Sequence, residues 1–217
     1  MIPRAELMKI CRKIVCVGRN YAEHCAELNN AVPTKPLLFL KPPTSLISEG
    51  TPICVPKGSE SIHHEVELGI VIGKDGSAIP EEKALEHVNG YLLALDMTER
   101  DLQSEAKKKG HPWLLAKCWD TFCPISEVLP KDSIQDLSNV GINLSVNGAL
   151  QQNGNTKDMI FSVPFLISHI SRITKLERGD IILTGTPSGV GPVRNGDVIE
   201  CALEGITKMK FEVTQNS

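Results

Sequence analysis

Three acidic residues have a spacing that could hold a divalent cation. Glu65 and Glu67 are separated by one residue on a predicted strand, and side chains two apart on a strand project from the same face. Asp96 ends an apolar strand of sequence YLLAL. Carboxylate oxygens without cysteine select a hard cation such as Mg²⁺, Mn²⁺ or Ca²⁺. The spacing alone leaves a second interpretation open, in which both glutamates line the solvent face of an edge strand.

A histidine and a carboxylate lie three residues apart in the segment YAEHCAEL. If this segment forms a helical turn, His24 and Glu27 share a face and the carboxylate can orient the imidazole. A histidine held in this way can take a proton from water near neutral pH. A surface helix with an incidental His–Glu pair is the alternative.

Further polar residues could recognise an anion. Lys117 lies in the apolar stretch WLLAKCW, so its ammonium group either reaches solvent or points at an anion. Arg100 and Gln103 lie three apart on one face of a predicted helix, and a guanidinium group matches a carboxylate bidentately. A plain surface charge is the alternative for Arg100. We expect Lys107, Lys108 and Lys109 to be a solvated helix end.

Most of the segments that carry these residues are predicted to be short strands. Apolar or alternating runs indicate strands near residues 13–18, 37–40, 64–73, 91–95, 181–184, 198–203 and 206–213. Residues 141–151 contain Asn147-Gly148 and the last two strands are joined by Glu204-Gly205, which predicts two hairpins. Helices are predicted at 80–88, at 99–109 with Thr98 as N-cap, and at 165–173 with Ser162 as cap and Ile173 facing inward. This order favours an α+β, β-rich fold.

Composition excludes several classes of protein. The 217 residues fit one domain, and the net charge of −3 gives little support to nucleic-acid binding. No apolar run reaches the length of a membrane span. The seven cysteines have no metal-site spacing and are best explained as reduced, mostly buried thiols. The glycine-rich residues 184–191 lack the P-loop and dinucleotide patterns, and five histidines suggest no role: His63, His64, His87, His111 and His169.

Four motifs in order resemble the fumarylacetoacetate hydrolase family, and in particular its short acylpyruvase type. They are GRNYAEH at 18–24, HEVELG at 64–69, LDMTERD at 95–101 and LTGTPSGVG at 183–191. The likeness runs from about residue 13 to residue 213. It implies a mixed, rolled β-sheet with a few short helices, assembled as a homodimer. Residues 13–217 would form a single catalytic domain, and residues 1–12 a short N-terminal arm.

The resemblance also implies roles for individual residues. Mg²⁺, or alternatively Mn²⁺, would be held by Glu65, Glu67 and Asp96. His24 and Glu27 would be the catalytic dyad, and Lys117 would steady a developing enolate. Substrate would be bound by Arg19, Arg100, Gln103 and Thr186.

The implied reaction is hydrolysis of an acylpyruvate to pyruvate and a carboxylic acid. The same enolate chemistry would support decarboxylation or tautomerisation of oxaloacetate. Isomerases, decarboxylases and sugar-acid dehydratases share this superfamily, and a non-catalytic metal-binding protein is a further alternative. The presence of His24 and Glu27 favours hydrolysis. The family and the basic residues near the start, Arg4, Lys9, Arg12 and Lys13, suggest a mitochondrial or cytoplasmic location.

Overall fold

The computed structural model describes residues 1–27 and 31–215. Within these ranges the α-helices are α1 (Arg4–Ile10), α2 (Ala22–Glu27), α3 (Arg100–Lys109), α4 (Leu114–Lys117) and α5 (Val163–Ser171). The strands are β1 (Ile14–Gly18), β2 (Leu37–Lys41), β3 (Leu46–Ile47), β4 (Ile53–Val55), β5 (Ile62–His64), β6 (Val66–Ile72), β7 (Val88–Leu95), β8 (Thr98–Glu99), β9 (Cys123–Pro124), β10 (Leu129–Pro130), β11 (Gly141–Val146), β12 (Ala149–Asn155), β13 (Ile181–Leu183), β14 (Gly191–Val193), β15 (Val198–Leu203) and β16 (Thr207–Gln215). The predicted strand-rich α+β class is confirmed.

A six-stranded sheet carries Glu67 on β6, and Asp96 directly follows its strand β7. Its strand order is β10-β7-β6-β13-β1-β2, and its pairs are antiparallel except for β1 beside β13. Every residue of β6 is buried, because both faces of the sheet are covered. Such a strand reads as a continuous apolar run, and any charged group on it must find a partner inside the protein.

The main core lies between this sheet and a five-stranded sheet of order β12-β11-β15-β16-β4. Leu68, Ile70 and Leu93 from the first sheet and Leu144 and Phe211 from the second belong to one buried cluster. The first sheet's opposite face packs against a second cluster that includes Ile2 and Leu7, so α1 covers this face. A three-stranded sheet, β14-β5-β8, and the pair β3-β9 complete the fold.

The structure corrects the strand predicted over residues 64–73. The chain is interrupted at Glu65, because β5 belongs to the three-stranded sheet and β6 to the six-stranded sheet. Glu65 stays close to the end of β7, since its carbonyl accepts a hydrogen bond from the Asp96 amide at 2.8 Å. Both predicted hairpins are confirmed: β11 pairs with β12 across Asn147-Gly148, and β15 pairs with β16 across Gly205.

The predicted helices need four changes. Residues Glu81–His87 form a 3₁₀ helix. Helix α3 is capped by the Glu99 carboxylate, which accepts from the Leu102 amide, whereas Thr98 belongs to β8. Helix α5 begins two residues earlier than predicted, with Ser162 as its cap, and ends at Ser171. Ile173 lies beyond it with 65% of its surface exposed, so the prediction that it faces inward is wrong.

The structure bears on two expectations from composition, about the cysteines and about membrane-spanning helices. All seven cysteines lie in the described residues and none forms a disulfide; five are buried, and Cys54 and Cys118 are half-buried. In the described ranges we find no helix with the length and hydropathy that crossing a bilayer requires.

Candidate functional site

Three buried carboxylates meet at the start of β6 and the end of β7. Oxygens of Glu65, Glu67 and Asp96 all lie within 4.8 Å of one another. Their residues are 5%, 2% and 1% exposed, respectively. The interpretation of the two glutamates as a solvent face is therefore wrong, because the six-stranded sheet is covered on this side too.

Two lysines compensate part of this negative charge. The ammonium group of Lys117 donates to Glu65 Oε2 at 2.9 Å, Asp96 Oδ2 at 2.5 Å and Thr98 Oγ1 at 2.6 Å. Lys41 lies 2.6 Å from Asp96 Oδ1 and donates to the carbonyls of Met97 and Lys117. The alternative in which Lys117 reaches solvent is wrong, since Lys117 is 1% exposed.

The pKa values of Glu65 and Glu67 are shifted in opposite directions. Burial works to raise the pKa of Glu65, but Lys117, Arg100 and His24 outweigh it and hold that pKa well below its usual range. Burial, Asp96 and Glu65 together raise the pKa of Glu67 well above its usual range. Burial would lower the pKa of Lys117, yet Asp96 and Glu65 raise it. A cation beside Glu67 would remove this repulsion.

The donor set fits a hard divalent cation. Three carboxylates without sulfur or imidazole are the oxygen ligands that Mg²⁺, Mn²⁺ and Ca²⁺ prefer. Lys41 pairs with Asp96, and Lys117 pairs with Glu65 and Asp96, so neither lysine forms an ion pair with Glu67. Glu65, Glu67 and Asp96 could therefore hold a metal ion.

A glycine fixes the orientation of Glu67. The amide of Gly185 donates to Glu67 Oε2 at 2.6 Å. Gly185 has a φ of +96°, and a Cβ there would lie 2.7 Å from Asn20 Cβ. Any other residue would be strained and would clash at this position. The glycine-rich loop after β13 thus approaches the acids through its backbone.

The His–Glu pair forms as predicted and lies at the edge of the site. His24 Nδ1 and Glu27 Oε2 are 3.0 Å apart on α2. The other oxygen of Glu27 accepts from the Gly189 amide at 3.0 Å, which ties α2 to the glycine-rich loop. Because His24 is 5% exposed, the alternative of an incidental surface pair is wrong. Glu23 lies apart from this pair, 3.4 Å from the hydroxyl of Ser188.

Arg19 adopts an unusual backbone conformation next to the acids. Its φ is +61°, a region that costs roughly 1–3 kcal/mol for a residue other than glycine and occurs often at functional sites. The neighbouring Asn20 stabilises this turn through bonds to the Thr184 carbonyl and to both main-chain groups of Phe161. Buried Nε of Arg19 has no hydrogen-bond partner among the described residues.

Arg100 and Gln103 face the acids from α3. The Arg100 guanidinium donates to Glu65 Oε1 at 2.6 Å and to Gln103 Oε1 at 2.7 Å. The prediction that the two residues share a face is confirmed, and the alternative of a plain surface charge is wrong. Because the Gln103 oxygen accepts from Arg100, its amide nitrogen remains as the donor toward the pocket.

Thr186 is part of a buried network that the sequence did not suggest. Its hydroxyl donates to the Val66 carbonyl and accepts from Gln152 Nε2, each at 2.8 Å. Gln152 also contacts His64 Nδ1 at 3.0 Å, and burial lowers the pKa of His64. Since the hydroxyl proton of Thr186 is already used, a contact with a substrate carboxylate would have to come from the main chain.

One pocket collects every predicted site residue except Glu27. It also includes five residues that were not predicted as part of the site, namely Val17, Gly18, Phe39, Lys107 and Trp113. The expectation of a solvated helix end is wrong for Lys107, which is half-buried, while Lys108 and Lys109 are exposed. A larger cavity of about 640 Å³ lies elsewhere, beside Ile134 and Val163, and contains none of the predicted residues.

Comparison with known proteins gives consistent results. Residues 13–214 match the family model described as fumarylacetoacetate (FAA) hydrolase C-terminal. The chain is 58% identical to the mitochondrial oxaloacetate decarboxylase of Dictyostelium discoideum, with 93% of this chain and 94% of that protein covered. It is 52% identical to the mitochondrial oxaloacetate tautomerase of Homo sapiens, with 93% and 91% covered.

A solved structure extends the likeness to three dimensions. The fumarylpyruvate hydrolase of Pseudomonas aeruginosa, in complex with Mn²⁺ and pyruvate, superposes with a TM-score of 0.89 at 35% identity. The match covers 95% of this chain and 91% of that one. Fold, family model and sequence identity agree, and the chain is an enzyme that belongs to the fumarylacetoacetate hydrolase family.

Proposed function

We propose that this enzyme acts on small 2-oxo acids and that its main reaction is enolisation of oxaloacetate, leading to tautomerisation or decarboxylation. The observation that carries the proposal is the buried cluster of Glu65, Glu67 and Asp96 bridged by Lys117. The names of the Dictyostelium and human relatives support oxaloacetate as the substrate. A bound Mg²⁺ or Mn²⁺ ion would supply Lewis acidity to the 2-oxo group.

The pocket's cations would bind and orient the substrate. Arg19 and Arg100 offer guanidinium groups to a carboxylate, and the Gln103 amide nitrogen adds a neutral donor. Arg19 has no carboxylate partner within 4.0 Å among the described residues, so it is available for a substrate anion.

Lys117 would stabilise the enolate oxygen. All three of its N–H donors are engaged, two with carboxylates and one with the Thr98 hydroxyl. Contact with a substrate oxygen therefore requires exchange of one partner. The hydroxyl of Thr98 is neutral, so its hydrogen bond is the least costly of the three to exchange.

His24 would move the proton. Its Nδ1 faces the Glu27 carboxylate, which makes Nδ1 the protonated nitrogen and leaves Nε2 as the base. In tautomerisation, Nε2 would take a proton from the carbon between the 2-oxo group and the second carboxylate, and return of a proton to the enolate oxygen would complete the enol. In decarboxylation, that carbon loses carbon dioxide and the electron pair forms the enolate.

Acylpyruvate hydrolysis is the second candidate, and the His24–Glu27 pair favours it. Here His24 Nε2 would take a proton from water, and the resulting hydroxide would attack the distal carbonyl carbon. The carbon–carbon bond then breaks to give a carboxylic acid and the pyruvate enolate, which takes up a proton. The name of the Pseudomonas relative, a fumarylpyruvate hydrolase, supports this reaction.

Steady-state kinetics on both substrates test the assignment. We expect magnesium-loaded protein to turn over oxaloacetate with a higher kcat/KM than acetylpyruvate, measured as loss of the oxaloacetate enol absorbance and as pyruvate formed. A higher kcat/KM for acetylpyruvate would make hydrolysis the main reaction. Turnover of neither substrate would overturn the proposal.

We also propose a cellular location, an oligomeric state and the extent of the catalytic unit. The Dictyostelium and human relatives are named as mitochondrial, which supports a mitochondrial location over a cytoplasmic one, and cell fractionation would test it. We propose a homodimer, which light scattering of the purified protein would test, and a catalytic unit of residues 13–217 with residues 1–12 as an arm.

A further inference from the structure

Lys107 is the outermost of three polar residues that α3 presents to the pocket. Arg100, Gln103 and Lys107 are spaced i, i+3 and i+7, so they form one stripe on the helix. All three line the same pocket as the acids. Arg100 marks the inner end of the stripe, because it contacts Glu65. Lys107 lies roughly 10 Å further along the helix axis.

An aromatic wall holds Lys107 in this position. Its ammonium group lies 5.3 Å from the centre of the Trp113 ring, a cation–π contact. Trp113 in turn packs against Phe39, with ring centres 5.4 Å apart and planes tilted by 56°. Both rings also line the pocket. The neighbouring lysines behave differently, since Lys109 pairs with Glu105 on the exposed side of the helix.

Lys107 has no acid partner in the part of the chain that the structure describes. No carboxylate approaches its ammonium group within 4.0 Å, and the same holds for Arg19. Burial, Arg100 and Arg19 lower the pKa of Lys107 to about 8. A half-buried cation beside two guanidinium groups is unfavourable unless an anion joins them. The arrangement therefore favours an anionic group at the outer end of the pocket.

We infer that Lys107 binds the second, distal carboxylate of the substrate, so that the site selects 2-oxo dicarboxylates over 2-oxo monocarboxylates. This inference rests on the proposed function, in which the 2-oxo acid end of the substrate lies beside Glu65, Glu67 and Asp96. The flat wall of Trp113 and Phe39 then contacts the carbon chain between the two ends. Lys107 is a specificity-determining residue in this account, not a participant in bond breaking.

Calorimetric binding to the magnesium-loaded protein tests the inference with two ligands of equal chain length. The ligands are 2-oxoglutarate, which has a distal carboxylate, and 2-oxopentanoate, which has a methyl group there. We expect Lys107→Met to reduce the preference for 2-oxoglutarate roughly tenfold, the scale of one charge-assisted hydrogen bond in a half-exposed site. Lys107→Arg keeps the charge and should keep most of the preference.

Lys108→Met is the matched control, because Lys108 is exposed on the same helix and its loss should leave both affinities unchanged. An equal weakening of both ligands in Lys107→Met would overturn the inference and show that Lys107 only supports Trp113. An unchanged preference, or no binding of 2-oxoglutarate to the wild type, would also overturn it.

Turnover separates this inference from the proposed function. If the wild type binds 2-oxoglutarate through Lys107 but leaves oxaloacetate unchanged, the proposed reaction is wrong and the selection of dicarboxylates stands. If oxaloacetate is turned over but Lys107→Met retains the wild-type preference, the reaction stands and the role of Lys107 is wrong.

Discussion

The ammonium group of Lys41 lies 2.6 Å from Oδ1 of Asp96, while Lys117 contacts the other oxygen of that carboxylate, Oδ2. Both side chains of this ion pair are almost fully buried. Lys41 also donates to two main-chain carbonyls, those of Met97 and Lys117. It therefore links the end of β2 to Asp96 and to the end of α4, where Lys117 lies.

Loss of Lys41 should destabilise the protein strongly. We expect Lys41→Met to lower the free energy of unfolding by roughly 3–5 kcal/mol, because a buried carboxylate and two carbonyls lose a charged partner. Urea unfolding followed by circular dichroism would measure it. Lys108→Met, a substitution of the same type at an exposed site, should stay within about 0.5 kcal/mol of the wild type. A similarly small effect of Lys41→Met would contradict this account of the pair.

Metal binding should release protons. The pKa of Glu67 is raised by burial and by repulsion from Asp96 and Glu65. In the metal-free protein, Glu67 therefore keeps its proton to a higher pH than an ordinary glutamate does. A cation must displace that proton, and metal affinity should therefore fall as the pH is lowered. Calorimetry in buffers of different ionisation enthalpy counts the protons released. The prediction would be wrong if metal binding released no protons in wild type, or if Glu67→Gln released as many as wild type.

The same shift has a consequence for stability. A carboxyl whose pKa is raised in the folded state contributes stability at low pH and loses it as the pH rises through the raised value. The contribution of Glu67 to the stability of the metal-free protein should thus decrease as the pH rises from about 4.5 toward neutrality. Mg²⁺ should raise Tm more at neutral pH than at pH 5. Thermal unfolding with and without Mg²⁺ checks this, and a larger gain at pH 5 would contradict it.

The His24–Glu27 pair should matter more for hydrolysis than for decarboxylation. We expect His24→Ala to lower the kcat for acetylpyruvate by roughly 10²–10⁴, since only hydrolysis needs a base to activate water. The kcat for oxaloacetate decarboxylation should fall less. Glu23→Gln, on the same helix but apart from His24, is the control and should change neither rate appreciably. Equal losses for both substrates would show that His24 is not specifically the hydrolytic base.

The sequence predicted the acids more readily than the cations around them. Glu65 and Glu67 stand out because two carboxylates separated by one residue on a predicted strand need an explanation. Lys41 is the last residue of the apolar strand LLFLK, and Asp96 directly follows YLLAL. A charged residue at the end of an apolar strand could have indicated Lys41 as well as Asp96. The pairing of Lys41 with Asp96 depends on how β2 and β7 are placed in the sheet, which the local pattern does not contain.

Lys107 was not predicted from the sequence for a different reason. Its spacing from Arg100 and Gln103 places it on their face of α3, but it lies in a run of three lysines whose ordinary meaning is a solvated helix end. The contact of its ammonium group with the Trp113 ring, which the local sequence pattern does not contain, shows that Lys107 belongs to the pocket. Gln152 gave no signal at all, because it joins His64 to Thr186 through contacts between residues far apart in the chain.

We propose that Glu65, Glu67 and Asp96 hold a metal ion that the reaction requires. The most direct test measures oxaloacetate turnover by metal-stripped protein before and after Mg²⁺ is added, in wild type and in Glu67→Gln. We expect activity in wild type only with the metal, and a loss of at least about 10²-fold in Glu67→Gln at the same Mg²⁺ concentration. Full activity of the stripped protein, or a wild-type rate in Glu67→Gln at saturating Mg²⁺, would contradict it.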